Sequence, residues 1–199
     1  MYESCIKRLL DLILSLAACV VLAIPMGIIA LWIKKDSPGP VFFKQRRVGR
    51  GKKCFNILKF RTMRGDTPHD VPTHLLKNAD SYITKSGAFL RRTSLDEIPQ
   101  FLNVLKGDMS VVGPRPDLRR ETELYEGDEG EKLTVKPGIT GYAAVYGRNS
   151  LPWHDRLALD VCYVRNVTFA LDVKVFFRTF ATVFKQEGIY VEEAASKSE

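Results

Sequence analysis

The sequence is poor in the residues that build disulfides, zinc sites and histidine-based catalytic systems. Its 199 residues include four cysteines and three histidines. The cysteines are scattered without a C-x-x-C pair, and no two histidines have the helical spacing of a zinc-ligand pair. We therefore expect neither a disulfide framework nor a zinc centre nor catalysis by histidine. Unpaired cysteines are also typical of a reducing compartment.

Charge is absent from one long stretch near the N-terminus. Residues 12–33 contain no Asp, Glu, Lys or Arg, and only Ser15 is plainly polar. A run of this length passes the test for a bilayer-spanning helix. A cleavable signal peptide has a shorter apolar core and a small-residue cleavage site, which this sequence does not show.

The flanks of this apolar run and the proline inside it argue against a straight span. Basic pairs at 7–8 and 34–35 lie at its two ends, and both prefer the cytoplasmic side. Pro25 has no amide hydrogen for the carbonyl of Val21, so a kink is expected. The two arms measure about 20 Å and about 13 Å, less than the roughly 30 Å of a hydrocarbon core. We therefore predict a helix-break-helix that enters and leaves by the cytoplasmic face, in preference to a kinked single span, with Asp11 near the interface.

Positive charge is concentrated directly after the apolar run. Residues 34–64 hold eleven Lys and Arg against Asp36, a net charge of +10, whereas residues 65–199 sum to −3. Such a strip is attracted to anionic lipids of the cytoplasmic leaflet by about 1 kcal/mol per basic residue. In a soluble protein it would suggest nucleic acid. One hypothesis is therefore a membrane-tethered module that binds nucleic acid or anionic lipid.

The remaining patterns predict an α+β domain. Residues 41–47 and 53–60 are rich in β-branched and aromatic residues around a glycine-containing turn, which indicates a β-hairpin. A helix is predicted from Ser94 or Asp96 to Gly107, a strand over 109–112, and a turn at 136–138 in which Gly138 takes positive φ. Amphipathic helices follow Ser150, with Pro152 in the first turn, and begin again at Asp172.

Three segments follow from these patterns. We predict a re-entrant membrane anchor over 1–35, a cytosolic catalytic domain over 36–190, and a disordered tail over 191–199. The aromatic stripe of the last helix has two interpretations, ordinary core or a helix lying in the membrane interface.

Adjacent carboxylates with arginines nearby are the strongest indication of chemistry. Asp96 and Glu97 could simply open a helix, with Ser94 and Glu97 as a capping box. A carboxylate can also attack phosphorus, a step that needs Mg²⁺ and arginine as counter-charge. Either acid could attack while the other holds the metal. The helix N-terminus would help to keep the attacking carboxylate ionised. Arg91 and Arg115, the latter between two prolines, could bind phosphate oxygens.

At this point the chain resembles the small monotopic phosphoglycosyl transferases, the bacterial sugar transferase family. Each matching sequence string is weak evidence by itself, but all of them in this order are highly specific for the family. The strings are K-F-R-T-M at 59–63, S-L-D-E-I-P-Q at 94–100, N-V-L-K-G-D-M-S at 103–110, G-P-R-P at 113–116 and K-P-G-I-T-G at 136–141. One departure is Ile24 before Pro25, where many members have serine, which leaves the break angle open.

The resemblance implies an enzyme on the cytoplasmic face of the bacterial inner membrane. Such enzymes transfer a sugar phosphate from a UDP-sugar to a polyprenol phosphate, usually undecaprenyl phosphate, and release UMP. It implies Asp96 as nucleophile of a covalent phosphosugar intermediate, Glu97 as its partner at Mg²⁺, and a re-entrant helix. A rival within enzymes is transfer through a ternary complex with Asp96 only as a metal ligand.

The substrate-binding residues expected are five basic side chains, namely Lys59, Arg61, Arg91, Arg115 and Arg148. The G-R-N segment at 147–149 resembles one in members that use N-acetylated amino sugars. It favours a UDP-HexNAc donor over UDP-galactose or UDP-glucose, which remain open. Anionic membrane lipids are expected partners, and nucleic acid is not.

Overall fold

The computed structural model describes residues 2–67, 79–147 and 151–185. It is a mixed structure of helices and two small sheets, so the α+β prediction is confirmed. The helices are α1 (Lys7–Val21), α2 (Ala23–Asp36), α3 (Ala79–Tyr82), α4 (Lys85–Thr93), α5 (Gln100–Lys106), α6 (Arg119–Thr122), α7 (Tyr142–Tyr146), α8 (Trp153–Arg165) and α9 (Phe169–Lys185). The strands are β1 (Phe42–Val48), β2 (Cys54–Phe60), β3 (Ser110–Val112) and β4 (Gly138–Thr140).

The N-terminal helices α1 and α2 form a bent pair. They meet at Leu22 (φ −90°, ψ 3°) at an angle of 60°. The break falls next to Val21, the carbonyl that Pro25 cannot bond, so the predicted break between two helices is present. Its entry and exit by one membrane face stays a prediction. Among the described residues no single helix has the length and apolarity to cross a bilayer, and only this bent pair passes that test when taken together.

One face of α1 packs on the domain and the other is apolar and exposed. Asp11 is buried, and its carboxylate accepts hydrogen bonds from the Ser110 hydroxyl at 2.7 Å and the Val111 amide at 2.9 Å. The hydrogen bonds that Asp11 needs thus come from β3. The exposed large apolar side chains of α1 and α2, here called the anchor surface, are Leu9, Ile13, Leu14, Leu16, Val20, Val21, Ile24, Ile28, Leu31 and Trp32.

The hairpin predicted after the anchor is confirmed. Strands β1 and β2 are antiparallel, with Phe42 opposite Phe60 and Val48 opposite Cys54. The turn between them is a short 3₁₀ segment in which Gly51 takes φ 64°. Glycine adopts this left-handed conformation without the steric cost of a Cβ.

The second sheet pairs β3 and β4 in parallel. Gly138 begins β4, and its φ does not lie in the left-handed region that we expected. The reason for glycine here is a close backbone approach, since a Cβ on Gly138 would lie 2.1 Å from the Gly113 nitrogen. This contact positions the chain that leads from β3 to Arg115.

Two apolar clusters hold these elements together. The larger cluster joins β2, β3 and helices α5, α7, α8 and α9, and contains Ile57, Val104, Met109, Val111, Val112, Val145, Tyr163 and Val175. A smaller cluster joins α2 to β2 and α4 through Ile29, Ile33, Phe60 and Leu90. The second arm of the bent pair therefore packs directly on the strand that carries Lys59.

The last two helices begin at other residues than predicted. Helix α9 starts at Phe169 rather than Asp172, because Thr168 accepts a hydrogen bond from the Leu171 amide and so caps an earlier turn. Pro152 is the N-cap of α8 rather than a first-turn residue, and Ser150 lies outside the described residues.

The aromatic stripe of α9 is divided between the core and the surface. Phe176 packs against the larger core cluster, whereas Phe177 and Phe180 are 67% and 50% exposed. The stripe therefore contributes to the core with one side and leaves an aromatic edge on the surface.

Candidate active site

Three separate segments meet at the candidate active site. Lys59 lies near the end of β2, Asp96 and Glu97 lie in a turn before α5, and Arg115 follows β3. Asn103 fixes α5 on β2, because its side-chain oxygen accepts from the Leu58 amide at 2.9 Å and its nitrogen donates to the Asn56 carbonyl at 2.8 Å. These two hydrogen bonds place the turn before α5 beside Lys59.

The Asp-Glu pair does not open an α-helix, so the prediction of a helix from Ser94 or Asp96 is wrong. Leu95–Glu97 form a 3₁₀ turn, and α5 begins only at Gln100, after Pro99 as N-cap. Pro99 has no amide hydrogen for the Leu95 carbonyl, which instead accepts from Ile98 at 3.3 Å. Ser94 makes no side-chain cap bond, so the capping box is not formed.

Glu97 is the centre of an ion-pair cluster. One of its carboxylate oxygens, Oε1, lies 2.6 Å from Lys59 Nζ and 3.3 Å from both terminal nitrogens of Arg115. Burial alone would raise the pKa of Glu97, but the charges of Lys59 and Arg115 and their hydrogen bonds lower the pKa to about 2. Glu97 is therefore ionised, and it orders two cations from different segments on one side of the site.

Asp96 has the opposite environment. Its side chain is half-buried, and among the described residues no hydrogen bond or ion pair reaches its carboxylate. Burial, together with the charge of Glu97, raises the pKa of Asp96 to about 6 against the opposing charges of Lys59, Arg91 and Arg115. A helix N-terminus is thus not what keeps Asp96 ionised. Nearby cations do, and they leave its oxygens available to a ligand.

The other predicted binding residues fall into different surroundings. Arg91 donates from Nε to the Thr62 hydroxyl at 2.9 Å and is close enough to lower the pKa of Asp96. Arg61 is buried and donates to the carbonyls of Pro38 at 2.6 Å and Ser37 at 2.8 Å. Its described contacts therefore hold the linker between α2 and β1. Arg148 lies outside the described residues.

Sequence reasoning missed the contacts that support Arg115. The half-buried Arg47 donates to the carbonyl of Pro116 at 3.2 Å, from the face of β1 that packs toward the domain. Beyond Pro116, Asp117 accepts from the buried ammonium of Lys132 at 2.8 Å, and Lys132 also pairs with Asp160 at 2.8 Å. The alternation of side chains along β1 was a sequence signal that Arg47 faces the domain. No local pattern in the sequence connected Asp117 with Lys132.

The carboxylates present fit a Mg²⁺ ion that arrives with a phosphate ligand. Over the described ranges, no group of three or more His, Cys, Asp or Glu side chains could hold a metal ion. Asp96 and Glu97 supply two neighbouring carboxylates. Mg²⁺ is commonly bound by one or two carboxylates together with substrate phosphates and water, so this donor set is sufficient only when a ligand completes it.

Comparison with known families gives one match over nearly the whole chain. Residues 2–186 match the model of the bacterial sugar transferases. The chain belongs to this family. Every string on which the resemblance rested lies inside the matched residues, including the Asp-Glu pair and the G-P-R-P segment.

Individual bacterial sugar transferases are similar over most of the chain. An uncharacterized sugar transferase, EpsL, from Bacillus subtilis is 44% identical over 92% of this chain and 90% of its own length. A UDP-glucose:undecaprenyl-phosphate glucose-1-phosphate transferase from Xanthomonas campestris is 41% identical over 92% of this chain. An undecaprenyl-phosphate galactose phosphotransferase from Salmonella typhimurium is 39% identical over 93% of this chain. The chain spans 40% and 42% of the lengths of these last two relatives.

Proposed function

We propose that this protein transfers a sugar 1-phosphate from a UDP-sugar to a polyprenyl phosphate, with undecaprenyl phosphate as the acceptor, and releases UMP. The observation that carries the proposal is the Asp96 carboxylate, which has no bonded partner in the described structure yet lies among Lys59, Arg91 and Arg115. The names of the Xanthomonas and Salmonella relatives support the same reaction class. The transfer would begin the assembly of a membrane glycoconjugate.

The proposed reaction has two displacements at one phosphorus atom. In the first, an Asp96 oxygen attacks the phosphorus that carries the sugar, and the bond from that phosphorus to the bridging oxygen breaks. The electron pair leaves with UMP, and an acyl phosphate forms on Asp96. In the second, an oxygen of the polyprenyl phosphate attacks the same phosphorus, which releases the Asp96 carboxylate and forms a polyprenyl diphosphate sugar.

The neighbouring side chains have separate roles in this scheme. Arg115 and Arg91 bind phosphate oxygens, for which the forked guanidinium is suited, and Lys59 adds a point charge. Glu97 orients Lys59 and Arg115 through its ion pairs. Asp96 and Glu97 would hold Mg²⁺ with the diphosphate, where the ion neutralises charge that develops on the leaving group.

The proposal places the protein at the cytoplasmic face of the bacterial inner membrane. The anchor surface provides exposed apolar side chains on both arms of the bent pair, and basic residues flank both ends. The bent pair then lies as a re-entrant hairpin, and the basic strip of residues 34–64 faces anionic headgroups. The exposed Phe177 and Phe180 of α9 suit the interface of the same membrane.

The proposed donor is a UDP-HexNAc, on the strength of the G-R-N segment at 147–149. The names of the Xanthomonas and Salmonella relatives contain glucose and galactose, so UDP-glucose and UDP-galactose are the competing donors. Measuring UMP release with a panel of UDP-sugars tests this, and activity confined to UDP-glucose or UDP-galactose would contradict the HexNAc assignment.

The decisive experiment traps the covalent intermediate. The full chain in detergent is incubated with a UDP-sugar labelled in the sugar, with Mg²⁺ and without acceptor. We expect a UMP burst and labelled protein from the natural sequence, and neither from Asp96→Asn, which keeps shape and most packing. Asp66→Asn is the matched control, because Asp66 is an exposed carboxylate paired only with Arg64 in the described structure.

Three outcomes contradict parts of the proposal. Label on the Asp96→Asn protein would move the nucleophile to another residue, with Glu97 as the next candidate. UMP release that requires acceptor and leaves no label would favour the ternary-complex reaction. Absence of UMP with every UDP-sugar, together with tight binding of nucleic acid, would favour the binding-module hypothesis.

A further inference from the structure

A cationic cavity lies away from the candidate active site. It has a volume of about 110 Å³ and is lined by the start of α1, the hairpin turn and the segment before β4. Pockets that enclose drug-sized ligands measure roughly 300–1,000 Å³, so this one suits a single small group. The charged residues that line it are Lys7, Arg8, Asp11, Arg50 and Lys136.

Two cations of this cavity, Arg8 and Lys136, approach each other near Gly107. A Cβ built on Gly107 would lie 3.5 Å from a terminal nitrogen of Arg8 and 3.9 Å from Lys136 Nζ. The pKa of Lys136 is lowered, first by burial and then by the charge of Arg8 and, more weakly, that of Arg50, while the charges of Asp11 and Asp108 oppose the shift. Like charges held this close repel each other. An anion bound between them relieves this repulsion, so the arrangement favours anion binding.

The acidic groups nearby are already engaged. Asp11 accepts hydrogen bonds from Ser110 and Val111, and Lys7 pairs with Asp172. Asp108 pairs with Lys106. In contrast, the side chains of Arg50 and Lys136 make no hydrogen bond or ion pair with any residue in the ranges that the structure describes.

The position of the cavity distinguishes it from the catalytic centre. Arg8 donates to the carbonyls of Val104 and Leu105 at the C-terminal end of α5, whereas Glu97 lies before its N-terminal end. The seven residues of α5 separate the two places by about 10 Å along the helix. Arg8, which lines the cavity, directly precedes Leu9, the first residue of the anchor surface, and Leu9 is 59% exposed.

We propose that this cavity binds the phosphate group of an anionic membrane lipid, and so sets the depth and orientation of the anchor. This inference rests on the membrane placement in the proposed function but not on the chemistry at Asp96. With the anchor surface in the hydrocarbon, the start of α1 lies at the level of the headgroups, where lipid phosphate is abundant. The chemistry recognised is a phosphate anion, and free inorganic phosphate is the other source that a test must separate.

The test compares two double variants that each remove two positive charges, one pair from the cavity and one pair from the adjacent hairpin turn. The double variant Arg50→Gln, Lys136→Gln removes from the cavity the two cations whose side chains have no bonded partner among the described residues. Lys52→Gln with Lys53→Gln removes two exposed lysines of the same turn and is the matched control. The full chain in neutral detergent is titrated with short-chain phosphatidylglycerol, short-chain phosphatidylcholine or inorganic phosphate, and the thermal midpoint is followed.

Phosphatidylglycerol should raise the midpoint of the natural sequence and of the control variant. In the cavity variant its half-saturating concentration should increase roughly tenfold or more, because two cations near the phosphate are lost. An equal response of both double variants would overturn the site. An equal response to inorganic phosphate and phosphatidylglycerol would overturn the lipid assignment.

Two further measurements keep the result interpretable. If the double cavity variant does not fold, the single Lys136→Gln protein is titrated in its place, with Lys53→Gln as its control. UMP release is measured on the same samples. Absence of UMP release from the natural sequence with an intact lipid response would overturn the proposed reaction alone, because none of the three probes is a substrate.

Discussion

At the scale of single residues, Asp96 and Glu97 are neighbours whose environments push their pKa values apart. Lys59 and Arg115 bond directly to Glu97, while burial without a bonded partner raises the pKa of Asp96. A difference of this kind between the pKa values of two neighbouring carboxylates is typical of sites in which the two have different roles. In the reaction that we propose, Glu97 orders the cations and Asp96 attacks.

The raised pKa of Asp96 predicts a pH dependence. The attacking form is the carboxylate, so the ionised fraction decreases as pH falls through about 6. Well below that pH, single-turnover UMP release at saturating UDP-sugar should fall about tenfold per pH unit. A stopped-time assay over the acidic range measures this, and a flat profile through pH 6 would show that Asp96 ionisation does not limit the step.

Arg115 tests the importance of a forked donor. Both of its terminal nitrogens reach the same Glu97 oxygen, a geometry that lysine cannot reproduce. We expect Arg115→Lys to lower kcat/KM by roughly tenfold to a hundredfold, the range for a lost hydrogen bond to a charged group. Arg119→Lys is the control, because Arg119 is exposed and pairs only with Glu123 in the described structure. Unchanged kinetics in Arg115→Lys would leave the G-P-R-P segment as a structural turn.

At the scale of elements, the bent pair α1–α2 is fastened to the domain by both arms. Asp11 fastens α1 to β3, and Ile33 packs α2 against Phe60 and Leu90. The linker after α2 is held by Arg61 through the carbonyls of Ser37 and Pro38. The anchor is therefore oriented by the domain, and the bend at Leu22 decides where its apolar surface points.

Pro25→Ala should weaken the bend, because alanine restores the amide that can bond the Val21 carbonyl. Cys5 is an exposed free cysteine before α1 and can report the side on which the N-terminus lies once the other cysteines are replaced by serine. In cells, an impermeant thiol reagent should leave Cys5 unlabelled in the parent protein and label a fraction of it in Pro25→Ala.

Gly27→Ala is the control for this experiment. It changes a neighbouring residue of α2 and keeps the proline, and a Cβ at Gly27 meets no atom within 4 Å. Labelling of Cys5 from outside the cell in the parent protein would contradict the re-entrant placement.

At the scale of the whole molecule, a buried charge cluster joins the Arg115 segment to α8. Lys132 lies in a 3₁₀ segment and pairs with Asp117 and with Asp160 on α8, while the Tyr125 hydroxyl donates to Asp117 at 2.6 Å. Burial would lower the pKa of Lys132, but the two carboxylates raise it above its ordinary value. The cluster is therefore charged and connects distant parts of the chain.

Replacing Lys132 should damage the fold and the site together. Lys132→Met leaves the buried Asp160 and the half-buried Asp117 without their cation, and loss of one partner of a buried ion pair typically costs about 3–5 kcal/mol. We expect a clear decrease in the denaturant midpoint of unfolding and a loss of UMP release at temperatures where the natural sequence is folded. Lys106→Met, at an exposed ion pair, should change neither by a comparable amount. A midpoint equal to that of the natural sequence would show that the cluster is not a structural link.

Features that depend on a few neighbouring residues could be read from the sequence. The hairpin follows from alternating side chains around a glycine turn, and the break follows from the missing amide of Pro25. The Asp-Glu pair and G-P-R-P were likewise visible as strings. The start of α5 was misplaced because the local 3₁₀ bonds before Pro99 compete closely with a helical turn.

Only the folded chain decided which charges meet. Lys59 and Glu97 are 38 positions apart, and Arg115 and Glu97 are 18 apart, so no local spacing connects them. The same holds for Arg61, which binds backbone carbonyls, and for Lys136, which joins Arg8 in the cationic cavity. Local sterics and hydrogen bonding act over a few residues, whereas ion pairs of this kind form only after the strands and helices have packed.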